Sequence, residues 1–118
     1  MLAFLELFFK LYIAHALADF ALQTDAMAKG KNRHNKPDYI PAGQKFVPCW
    51  HYWLTAHALI HAGGVWWATG IMWLGLVELV MHWLIDFLKC EGLTNPNQDQ
   101  FLHFVCRLAY CPFVLWSL

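Results

Sequence analysis

Apolar residues along this chain come in four long runs, and inside each run a few ionisable side chains recur at a spacing of four. The first run extends from about Leu2 to Thr24. After it comes "DAMAKGKNRHNKPDYIPAGQKFVP", a polar stretch with three prolines and five Lys or Arg residues, which reads as a loop over about 25 to 49. From Trp50 to Met81 there is no Lys or Arg and a single acid, Glu78. At ~1.5 Å per residue this run is too long for one helix of bilayer length. It is expected to break at Thr69 and Gly70 into helices of about 50 to 68 and 71 to 90. "EGLTNPNQ" then supplies a turn with Asn95 as N-cap and Pro96 at the first helical position, opening a last helix of about 96 to 118.

Composition turns this pattern toward a membrane. Of 118 residues, 59% are hydrophobic and 14% charged, against about 25% charged in an ordinary soluble domain. Each run has about 19 to 23 residues, near the ~20 needed to cross a ~30 Å hydrocarbon layer. The expected fold is an all-α, four-helix antiparallel bundle forming one domain over 1–118 and integral to a membrane. A soluble bundle with an unusually apolar surface is the alternative. In the 25–49 loop, Lys29, Lys31, Arg33, Lys36 and Lys45 outnumber Asp25 and Asp38, which places that loop on the cytoplasmic side. Eight basic and eight acidic residues cancel, so nucleic acid is not an expected partner. Membrane lipids are, and the spacing of Gly63, Gly64 and Gly70 allows close helix contacts within a chain or in a homo-oligomer. Cys49, Cys90, Cys106 and Cys111 form no C-x-x-C pair and read as small buried thiols rather than disulfides or a zinc knuckle. Without a basic leader, and with Glu6 interrupting its first run, the N-terminus does not read as a cleaved signal peptide.

The ionisable residues carry the candidate chemistry. Helix one has His15 and Asp19, followed in the same series by Gln23; helix two has His57 and His61; helix three has Glu78, His82 and Asp86; helix four has Asp99, His103 and Arg107. A spacing of four places each set on one helix face, members rising by ~6 Å. Counted from the loop end, Asp19, Asp86 and Asp99 lie about one turn in, His15, His57, His82 and His103 about two, and His61, Glu78 and Arg107 a turn deeper. Converging stripes of this kind admit three readings. One is a packing network of His–Asp pairs with an Arg107–Glu78 salt bridge. Another is a proton or ion relay. The favoured one is a divalent metal site, because helical His-x-x-x-His and His-x-x-x-Asp pairs each deliver two donors from one face. Its metal-ligand pool is His15, Asp19, His57, His61, His82, Asp86 and His103, and this mixture of nitrogen and oxygen donors suits zinc, iron or manganese. Glu78 or Asp99 would act as base, and Arg107 would hold developing negative charge on a phosphate oxygen.

On "HALADFALQTDAMAKGK", "HALIHA", "HWLIDFLK" and "DQFLHFVCR", in that order, the chain resembles the domain of unknown function 3307 family of bacteria and their phages. That resemblance implies a small membrane protein, here of a bacterial inner membrane, and carries no activity. The motifs mark His15, Asp19, Gln23, His57, His82, Asp86, Lys89, Asp99, Gln100 and His103. A looser similarity to membrane-bound predicted metal-dependent hydrolases, which also carry His and Asp on helices, points toward the metal reading by analogy. The expected function is metal-dependent hydrolysis of a phosphoester or lipid-like anionic substrate. The alternative is a non-enzymatic module that binds a partner or relays ions.

Overall fold

A computed structural model describes residues 1–117, and among them the chain is all-helical with no strand. Helix α1 covers Leu2–Ala16 and passes into a single π turn, Leu17–Ala21, closed by a 2.8 Å bond from the Leu22 N–H to the Leu17 carbonyl. A short helix α2, Asp25–Gly30, lies inside the stretch expected to be all loop. Thr24 caps it, its hydroxyl oxygen accepting from the Met27 N–H at 3.1 Å. Helices α3, Trp50–Thr69, and α4, Met72–Cys90, form a hairpin around Gly70, whose φ of +71° ends α3 in the left-handed conformation glycine adopts without strain. Helix α5, Pro96–Trp116, opens on the expected cap: the Asn95 side chain accepts from Gln98 N, Gln98 returns a bond to Asn95 N, and Pro96 takes the first turn.

The four long helices pack in a ring, α1 against α3 and α5, and α4 against α3 and α5. The α3–α4 seam is tight at Gly75, where a Cβ would lie 2.9 Å from the Ala62 carbonyl oxygen. One end of the ring is apolar, built by Leu7, Leu11, Val65, Leu74, Cys111 and Val114. Burying such side chains contributes about 1.5–3 kcal/mol each. The other end is filled by histidines, carboxylates and their partners.

The membrane expectation is overturned. Among the described residues no helix is long and apolar enough to cross a membrane, so the assignments of transmembrane helices, an inner-membrane location and a cytoplasmic 25–49 loop fall. The physical reasons differ by helix. The first run is not one helix of 23 residues: α1 has 15, and the chain then widens into the π turn. Helix α3 lacks Lys, Arg and acids, but three His and four Trp dilute its apolar character. Helix α4 carries Glu78, Asp86 and Lys89, and α5 begins with the polar run PNQDQ. All four cysteines are free, and only Cys111 is fully buried; Cys49 is exposed, against the expectation of uniformly buried thiols.

Candidate metal centre

The polar end of the ring gathers side chains from every long helix and from the segment after α2. Asp19 sits in the π turn, a widened element often found at functional sites, and its carboxylate reaches two histidines of α3. His61 Nε2 is hydrogen-bonded to Asp19 Oδ1 at 2.9 Å, and His57 Nε2 lies 3.2 Å from the same oxygen without an aligned hydrogen bond. The Gln100 amide donates to Asp19 Oδ2 at 2.9 Å, and His15 Nε2 is 3.3 Å from that oxygen. One donor atom from each of Asp19, His57, His61 and His82 lies within 4.8 Å of the others. Glu78, His82 and His103 form a second such group.

Deeper in the bundle, Arg107 Nη2 donates to Glu78 Oε1 at 2.9 Å and contacts His61 Nδ1 at 3.3 Å. The Tyr110 hydroxyl donates to Glu78 Oε2 at 2.8 Å, so both oxygens of Glu78 are engaged. His61, His82 and His103 stack face to face, with centroid separations of 3.6 Å and 4.3 Å about a central His82. At the open end, Lys31 Nζ donates to Gln23 Oε1 at 2.6 Å and to Asp86 Oδ2 at 2.5 Å. Lys89 Nζ lies 2.8 Å from Asp86 Oδ1 and 3.1 Å from Asp99 Oδ2. His103 Nε2 is 3.5 Å from Asp99 Oδ1.

Protonation follows from burial and partners. Removal from water lowers His61 to about 4, and the same effect lowers His15, reinforced by the Arg107 charge. For His82, burial comes first and the neighbouring imidazoles push it further down, well below the ordinary histidine value. These rings are therefore neutral near pH 7, the form that donates to metals. Burial opposes ionisation of Asp19, but His57, His61 and Gln100 outweigh it and hold the carboxyl well below the usual range. Burial is likewise overcome at Asp86 by Lys31 and Lys89, and at Asp99 by His103 and Lys89.

Every residue singled out from the sequence as metal-binding or catalytic is buried in this one end of the ring. Asp19, His57, His61 and His82 come together, with His103 beside them. His15 bonds Gln100, its Nε2 3.0 Å from Gln100 Oε1, and Asp86 is occupied by two lysines. One contact departs from the expected layering by depth: Asp19, expected level with Asp86 and Asp99, is bonded to His61, which was expected two layers further in. Two members went unrecognised. Lys31, 4% exposed, is indistinguishable by charge pattern from the other loop cations; its one signal is that it closes the stretch "HALADFALQTDAMAKGK". Tyr110 extends the α5 stripe by three residues past Arg107, a spacing that keeps it on the same face.

Fold and site together define an all-helical protein with a histidine–carboxylate centre enclosed at one end. The chain belongs to the family described as Protein of unknown function (DUF3307), whose family model matches residues 7–116 and so spans every member of the centre. No curated protein and no solved structure matches the chain.

Proposed function

We propose that this chain is a four-helix-bundle protein that binds a divalent transition metal ion, zinc, iron or manganese, through Asp19, His57, His61 and His82. The observation that carries this reading is the electrostatic position of Asp19. Of the buried carboxylates, Asp86 has Lys31 and Lys89, Asp99 has Lys89, and Glu78 has Arg107. Asp19 has no Lys or Arg among the described residues; its neighbours are His15, His57, His61 and Gln100. Its charge is held by hydrogen bonds from neutral groups and is not balanced by a neighbouring cation. Beside it, His57 is 0% exposed and neither of its ring nitrogens has a hydrogen-bond partner. An ion held by one carboxylate and neutral imidazoles would balance the Asp19 charge and engage one ring nitrogen of His57, and this donor set suits the metals named.

The same centre extends to an enzyme: a metal-dependent hydrolase of a small anionic phosphoester. Asp99 fits the role of base better than Glu78, because Asp99 Oδ1 has no hydrogen-bond partner while Arg107 and Tyr110 bind both oxygens of Glu78. Arg107 then serves to hold Glu78 rather than a substrate oxygen. A proton relay has less support, since stacked imidazoles present faces rather than N–H···N lines to one another. The test is metal analysis after loading with Zn²⁺, Mn²⁺ or Fe²⁺, combined with thermal denaturation. Wild-type protein should retain one ion per chain and gain stability, by about 2.7 kcal/mol at a hundredfold excess over Kd. Asp19→Asn should lose both effects. Wild-type protein that retains no ion and gains no stability with any of the three metals would refute the proposal.

A further inference from the structure

The one buried lysine of the segment after α2 is placed where it governs which oxygens the centre presents. Lys31 follows a helix that is seated firmly: Met27 is buried, and Gly30 lies so close to Trp53 that a Cβ there would be 2.5 Å from the indole Cδ1. From that seat its ammonium enters the bundle and binds Asp86 Oδ2. The two oxygens of Asp86 are not equivalent. Oδ1 is turned to Lys89, whereas Oδ2 is the oxygen 3.7 Å from His57 Nε2, one of the nitrogens of the proposed centre. Lys31 therefore covers a carboxylate oxygen that faces His57 without belonging to the centre.

We infer that Lys31 is a specificity-determining residue, which keeps Asp86 out of the metal's coordination and so holds the centre to one carboxylate and imidazole nitrogens. The inference rests on the metal-binding reading above. Imidazole-rich, low-coordinate sites suit zinc, whereas added carboxylate oxygens and higher coordination move preference toward manganese. With Lys31 in place Asp86 is charge-compensated and has no need of an ion. Without it, Oδ2 becomes a free anionic donor at the edge of the site, while Lys89 still fixes Oδ1 and hence the direction Oδ2 faces.

The test compares Zn²⁺ and Mn²⁺ affinities of the full metal-free chain by titration calorimetry, reading the ratio of the two so that a general change in field cancels. Lys31→Met should shift the ratio toward Mn²⁺ by roughly tenfold or more, the scale on which groups around a metal site act. The double variant Lys31→Met/Asp86→Asn should return it to the wild-type ratio. A ratio unchanged in Lys31→Met, or a shift that persists in the double variant, overturns the inference. Asp86→Asn alone provides a second arm that does not depend on the folding of Lys31→Met. It should keep the ion, and loss of the ion would make Asp86 a native ligand and overturn the inference equally. Failure of wild-type protein to bind either metal defeats the centre itself, so the two readings fail separately.

Discussion

Replacing Arg107 by Met removes the only Lys or Arg paired with Glu78 among the described residues, while keeping most of the side chain's length. Glu78 is 1% exposed, and the substitution leaves it with the Tyr110 hydroxyl at 2.8 Å and His82 Nδ1 at 3.2 Å. Breaking a buried ion pair from one side typically costs 3–5 kcal/mol, because the surviving charge has neither water nor partner. Because the Tyr110 hydrogen bond survives, the expected loss lies toward the lower end, about 3–4 kcal/mol, a large part of the 5–15 kcal/mol by which a domain is usually stable. Guanidinium denaturation of metal-free protein, followed by far-UV circular dichroism, measures it as a lower midpoint at unchanged slope. Glu78→Gln/Arg107→Met should recover most of the loss. A deficit below about 1 kcal/mol, or one that the double variant does not recover, would refute the account of Arg107 as the neutralising partner of Glu78.

Two further outcomes follow from the same geometry. Metal-free protein should lose stability as pH falls from 6.5 toward 4: burial lowers His61 to about 4 in the folded chain, so below the unfolded value of 6.5 the unfolded chain binds the proton first. His15 and His82 shift in the same direction and add to the slope; a midpoint that stays flat over that window would contradict neutral buried rings. Gly30→Ala should loosen α2 even though alanine is the better helix former by about 1 kcal/mol, since its Cβ would meet the Trp53 indole at 2.5 Å. Trypsin should then cut at Lys29 and Lys31 several-fold faster, and unchanged or slower cleavage would show that the indole yields without cost.

The helix boundaries and the site were legible in the sequence for local reasons. Gly70 and the Asn95–Pro96–Gln98 cap act through their own backbone, so their reading survives any packing arrangement. A spacing of four likewise fixes a shared face before the partner helix is known, which is why His57 with His61 and His82 with Asp86 were found as units. Three features were not legible. The π turn depends on how α1 meets its neighbours, and it moves Asp19 from the layer of Asp86 to contact with His61. Lys31 reaches Asp86 across 55 residues, a separation that no local pattern encodes. The membrane expectation came from counting apolar residues in each run without weighing the polar ones among them. Each helix spends part of its inner face on His, acid or Arg, and among the described residues no helix is long and apolar enough to cross a membrane.

That distribution bears on the choice between a packing network and a binding centre. Side chains that only fix packing are expected to satisfy one another, because an unpartnered buried polar atom costs about 1–3 kcal/mol and apolar residues of the same size would pack without that cost. The deeper layer comes near to this: Arg107 and Tyr110 donate to the two oxygens of Glu78, and of these three side chains Arg107 Nε alone has no partner among the described residues. The layer above it does not. Both ring nitrogens of His57, Nε2 of His82 and Nδ1 of His15 and His103 are buried without partners, around a carboxylate that lacks a cation. The apolar end, packed around Leu11, Val65 and Leu74, offsets such a local deficit but gives no reason for placing it there. At Asp19, His57 and His82 a negative charge without a cation and ring nitrogens without partners meet at one place, which a single bound ion taking one nitrogen from each ring would relieve, and it is the reason the centre is read as a site rather than as a strut.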